Sequence, residues 1–213
     1  MTRRMILSLV IGLVSAGGVS AVPVQDGSRV GFRQPDAAER AWIASRIYRA
    51  VELNFGHWDD VPTYDLPVEY RRYLASAMTA PDRRTFSLAT QAFVAGLGNS
   101  HTYYSDRALY EDAGSSHGYD VRYLAGSWVV TSSRRPGLNQ GDVIVSVNGE
   151  PIETFYSRNR EYLNASTERF ARRRLFYWNQ RHLWPEQYVL GLSDGREVRI
   201  DGPADTCQRG DGV

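Results

Sequence analysis

The chain has 213 residues, enough for one ordinary domain or two small ones with a real hydrophobic core. Its 25 basic and 24 acidic residues leave a formal charge of +1, which gives no global pull on nucleic acid or a membrane surface. Every basic residue is arginine, so a lysine base, a Schiff base and a phosphate-loop lysine are excluded within the chain; the single Cys207 excludes an internal disulfide framework and a multi-cysteine metal site.

Arg3 and Arg4 precede an apolar run from Met5 to Val14, and small residues then lead to Val19-Ser20-Ala21. This charged, apolar, small-residue order reads as a secretory signal over residues 1–21, cleaved after Ala21. The run is short for a bilayer span, which takes about 20 residues. The mature protein is therefore expected to be exported, periplasmic or secreted, with no stable membrane span. Cleavage removes two arginines and no acids, moving the formal charge from +1 to −1. Residues 22–34 read as a linker.

From Asp36, a natural N-cap, Ala41, Trp42, Ile43, Ile47, Tyr48, Val51, Leu53 and Phe55 recur near a 3.6-residue period and predict a helix ending at Gly56. A shorter helix is expected from Pro67 to Met78, with proline in its first turn. A third follows Pro81-Asp82 and carries Phe86, Leu88, Ala89, Phe93 and Leu97. Together these predict a small helical domain over residues 35–112.

After Gly114 the period changes to two. Tyr119–Tyr123, Ser127–Thr131 and Val143–Val147 read as strands, and Asn148-Gly149 is a strong two-residue turn. Strands are also expected over Gln187–Leu192 and Glu197–Ile200, joined by a turn at Asp194-Gly195. Between them, residues 154–186 read as a helical insertion in which Ser166 caps a helix with Phe170, Ala171, Leu175, Trp178 and His182 on one side. The second domain then covers 113–200, and 201–213, rich in Gly, Asp and Pro, reads as a disordered tail. The expected class is α+β.

Two motifs carry chemistry. In Pro136-Gly137-Leu138-Asn139-Gln140-Gly141-Asp142-Val143-Ile144-Val145-Ser146-Val147-Asn148-Gly149, glycines serve tight turns and valines a half-buried strand. The run resembles the core of PDZ-like modules, which add an extended peptide to a sheet edge. That resemblance implies peptide binding at Gly118, Tyr119, Asp120 and Val121, with Ser116-His117-Gly118-Tyr119 in the place of the carboxylate loop. No Gly-Leu-Gly-Phe loop precedes the strand.

The other motif is Gly96-Leu97-Gly98-Asn99-Ser100-His101-Thr102, where a histidine, the usual general base near neutral pH, sits at a helix-to-loop junction. A helical domain ending this way, followed by a PDZ-like module, resembles the front of the tail-specific (C-terminal processing) serine peptidases and is most similar to their tricorn-like branch. The resemblance implies His101 as catalytic general base and Ser100 as its supporting hydroxyl. Asn99 stands where aspartate is usual, and the family's nucleophile lies in a later domain. The chain is thus expected to be the N-terminal portion of such a peptidase, taking peptides or protein C-termini and hydrolysing them only with a downstream domain. The alternative is a non-catalytic exported peptide-binding module.

Four other readings are weaker. Gly114-Ser115-Ser116-His117-Gly118 matches Gly-x-Ser-x-Gly but lacks the strand before and helix after that a nucleophile elbow needs. His101, Asp106, Glu111, Asp112, His117 and Asp120 crowd one stretch without zinc-ligand spacing, so no metal and no cofactor are expected. Arg169, Arg172, Arg173, Arg174 and Arg181 interleave with aromatics; arginines snorkelling around an amphipathic helix explain them without nucleic acid. Asn164-Ala165-Ser166 matches a glycosylation acceptor.

Overall fold

The computed structural model describes residues 34–106, 109 and 116–202, together with the backbone of 10–12. The expected linker (its residues 22–33) and tail (its residues 203–213) lie outside these. The chain divides into two units, residues 1–97 with 102–108 and residues 98–101 with 109–213. The architecture is α+β, a helical N-terminal region followed by a β domain. No helix among the described residues is long and apolar enough to cross a membrane.

In the first unit, β1 (Val10–Gly12), within the expected signal, pairs in parallel with the later strand Tyr103–Ser105. Helix α1 (Ala37–Asn54) begins with a capping box in which Asp36 and Glu39 each accept from the other's backbone N–H. Helices α2 (Leu66–Thr79) and α3 (Arg83–Ala95) start with a single cap each, Asp65 accepting from Val68 N and Asp82 from Thr85 N. Strand β2 (Tyr103–Ser105) follows. Ala44, Ile47, Val51, Tyr73, Ala77, Phe86, Phe93 and Val94 form the core, where the rings of Tyr73 and Phe93 stack at 4.8 Å. Trp42 and Leu53, counted in the apolar period, are instead exposed at 55% and 62%. Eleven residues apart, they share a helical stripe, and that stripe is opposite Ala44.

The second unit is an antiparallel sheet of β3 (Tyr119–Leu124), β4 (Ser127–Ser133), β5 (Val143–Val147), β6 (Glu150–Pro151), β7 (Gln187–Leu192) and β8 (Glu197–Asp201). The order is β3-β4-β5-β7-β8, with β6 hairpinned onto β5. Asn148 and Gly149 take φ of 52° and 78°, the left-handed pair that a tight hairpin between twisted strands requires. Helix α4 (Ile152–Asn159) and helix α5 (Glu168–Arg174) lie in the β6–β7 connection. One apolar core joins sheet and helices, including Trp128, Ile144, Phe155, Leu163, Leu175, Tyr188 and Leu190.

The insertion differs from its sequence reading in two ways. Thr167, not Ser166, caps α5, because its side chain accepts from Phe170 N. The helix ends at Arg174, and a 3-10 turn over Trp178–Leu183 leaves Trp178 60% exposed, off the buried face.

Candidate functional site

The loop carrying His101 is held by residues far away in sequence. Gly98 turns the chain with φ of 60°, and Asn99 Oδ1 accepts from His101 N at 2.8 Å, leaving the imidazole exposed. Ser100 N donates to Ser166 Oγ at 3.0 Å, and Ser166 N donates to Ser100 Oγ at 2.9 Å. The two hydroxyls are also 3.0 Å apart. Asn164 Nδ2 reaches the carbonyls of Asn99 and Ser100, each at 3.4 Å. Ser100 Oγ is thus engaged by Ser166, and the His101 ring makes no hydrogen bond to another described residue. Sequence reasoning missed Ser166 and Asn164 in this role; the glycosylation triplet they frame is closed, since Asn164 is buried.

Tyr119, Asp120 and Val121 open β3, one of the two edge strands of the sheet, and Gly118 immediately precedes it. An edge strand keeps one row of backbone N–H and C=O groups outside the ladder. Gly118 takes φ of 80°, its N–H donates to Ser116 Oγ and its carbonyl accepts from Arg134 N. The side chains of Tyr119 and Val121 face the core, while Asp120 is exposed and accepts from Ser132 Oγ at 2.8 Å. The register slips between Asp120 and Val121, a bulge that bends the strand there. The site residues of β3 can thus offer a peptide their backbone, and Asp120 its side chain.

Helix α5 packs beside β3. From it Arg172 lays its guanidinium over Tyr123 at 4.2 Å, Tyr156 at 4.6 Å and Trp128 at 5.4 Å, and donates to both oxygens of Glu153. Trp128 Nε1 shares Glu153 Oε1 at 2.7 Å. Burial works to raise the Glu168 carboxyl, but hydrogen bonds from Tyr156 and Arg160 outweigh it and keep the group below its ordinary range. Where β3 turns into β4, Leu124, Ala125 and Gly126 line an open pocket of about 440 Å³ with Tyr123, Glu168, Arg169 and Arg172. The snorkelling picture fails for three arginines, Arg174 being buried as well. Arg172 is caged by aromatics, and Arg181 is buried, donating to the carbonyls of Trp184, Pro185 and Glu186.

His117 lies in the core, its Nδ1 2.8 Å from Tyr188 Oη, which is 2.9 Å from Tyr119 Oη. Burial, then the charges of Arg181 and Arg135, push its imidazole down to about 3, so it stays neutral. It is a structural group. Ser116 receives Gly118 N and leads into a strand, so no nucleophile elbow forms there, and Gly114 and Ser115 lie outside the described residues. Of the acidic and histidine residues crowded in sequence, Asp106 is bound by Arg83 and Ser87, and Glu111 and Asp112 are outside the described residues. Among the described residues no group of three such side chains is placed to hold a metal ion.

No family model and no curated protein matches the sequence. Solved structures do match. A mutant of CPAF, a chlamydial serine protease with a tail-specific protease-like fold, aligns with TM-score 0.59 at 15% identity over 77% of this chain and 33% of its own. The chain shares its fold with that part of CPAF. Mature CPAF aligns with TM-score 0.57 at 16% identity, covering 77% of this chain and 34% of CPAF. CPAF complexed with lactacystin gives 0.58 and 16%, covering 78% and 34%. At such identity the likeness is one of fold alone, and this chain spans about a third of the length of CPAF.

Proposed function

We propose that the chain is the N-terminal, peptide-recognising portion of an exported serine-type peptidase of the tail-specific family, in its tricorn-like branch. The carrying observation is that β3 is a sheet edge flanked by α5, an arrangement suited to receiving an extended peptide as an added strand. The fold shared with a third of CPAF supports the peptidase setting, and the Leu97–Thr102 motif supports the role of His101. In this PDZ-like reading, outward backbone groups of Tyr119, Asp120 and Val121 bond the peptide main chain, while Gly118, whose N–H and carbonyl are already bonded to Ser116 and Arg134, turns the chain into the strand. His101 takes the proton of a serine hydroxyl supplied by a further domain as that hydroxyl attacks the scissile carbonyl.

The intact mass of the native protein tests the reading first. The sequence accounts for 24.0 kDa before signal removal, and a mass near twice that implies a downstream catalytic domain. Within that longer polypeptide, His101→Ala should abolish peptide hydrolysis; an unchanged rate would remove the general-base role.

A second reading, a non-catalytic peptide-binding module, is favoured by one observation: the Ser100 hydroxyl bonds Ser166 and not the imidazole. A native mass matching residues 22–213, with saturable binding of extended peptides and no hydrolysis, would select it.

A further inference from the structure

We propose that Ser166, backed by Asn164, is a positioning residue for His101; the inference rests on the general-base reading of that histidine. Asn99 and Ser100 reach back to a segment more than sixty residues away for three kinds of contact. Ser100 and Ser166 exchange N–H donors for hydroxyl acceptors, and their hydroxyls bond each other. Asn164 then covers the carbonyls of residues 99 and 100. The far end is firmly held, because Leu163 and Ala165 are buried in the second unit's core and Thr167 caps α5 immediately afterwards. The backbone on which the imidazole rides is therefore located by residues 164–166.

The chemistry explains why both positions carry hydroxyls. Each peptide N–H needs an acceptor, each Oγ supplies one, and one of the two hydroxyl protons bridges the oxygens. Alanine at 166 leaves Ser100 N–H without its acceptor and frees the loop to move; threonine keeps the oxygen. Residue 166 neighbours the cap of α5, the helix beside the edge strand, so the same contact sets His101 relative to the strand that would hold peptide.

The test reads the ring directly. In histidine-labelled protein, assigned through His101→Ala, Ser166→Ala should shift the His101 imidazole resonances and leave those of His57 and His117 in place. Ser166→Thr should restore them. Ser100→Ala should give the same shift, and the double variant no more than either alone, as expected for two halves of one contact. In the longer polypeptide, Ser166→Ala should lower kcat by up to about a hundredfold with KM unchanged, the scale of loss that a misplaced catalytic group can cause. Unmoved His101 resonances in Ser166→Ala, or additive shifts from the two serines, would overturn the positioning role. That failure is distinct from failure of the general-base reading, which appears as hydrolysis surviving His101→Ala.

Discussion

His117 Nδ1 lies 2.8 Å from the hydroxyl of Tyr188, in a core where Trp184 packs edge-on against the same imidazole at 4.9 Å. Only a neutral ring is stable there. An unfolded histidine titrates near 6.5, whereas this one is held down to about 3. Between those values the unfolded state binds the extra proton, so the histidine's contribution is complete above about pH 6.5 and declines as pH falls toward 3. From pH 7 to pH 5 it should lower stability by about 2 kcal/mol. Urea unfolding at both pH values checks this, with His117→Phe flattening the difference. Equal pH dependence in the two proteins would contradict the assignment.

Asp106 is the polar anchor of the first unit. Its carboxylate receives Arg83 at 2.8 and 3.2 Å and also Ser87, and it is 6% exposed. Asp106→Ala removes the acceptor of the buried Ser87 hydroxyl and one ion-pair partner of Arg83, which should cost about 1–3 kcal/mol. The loss should appear as a lower thermal midpoint of the helical signal.

Arg172 serves by shape as well as charge. Arg172→Lys keeps the charge but gives up the flat face over Tyr123 and Tyr156. A loss of about 1–2 kcal/mol is expected in urea unfolding, with Arg172→Ala worse.

Gly118 leads into the edge strand with φ of 80°. Gly118→Ala should destabilise the fold by about 1–2 kcal/mol and weaken binding of a fluorescent extended peptide. Gly126, at φ of 84° with nothing near its missing Cβ, serves as the control; Gly126→Asn should be tolerated, since asparagine accepts this conformation.

What could be read from the sequence was local. Asp36 starts its helix because a cap bonds the N–H three residues away, and Asn148-Gly149 makes its hairpin unaided. Long-range commitments could not be read. Ser166 has the chemistry of a cap, but Ser100 claims its hydroxyl and Thr167 takes the cap. Arg181 has the composition of a surface residue, yet three carbonyls in the Trp184–Glu186 turn draw it inside. The pair Ser100-His101 suggested a mutual contact, and nothing in its spacing pointed to residue 166.

The Asn148-Gly149 turn also bears on how the protein ages. Asparagine before glycine is the pair most prone to deamidation, which begins when the next backbone nitrogen attacks the side-chain carbonyl. Here Asn148 Oδ1 accepts from Val189 N at 2.7 Å while Asn148 N donates to Val189 O at 2.8 Å, so the amide is clamped across the sheet. The reaction should wait for the β5–β7 pairing to open. Isoaspartate at residue 148 would then record how long stored protein has spent with that pairing open.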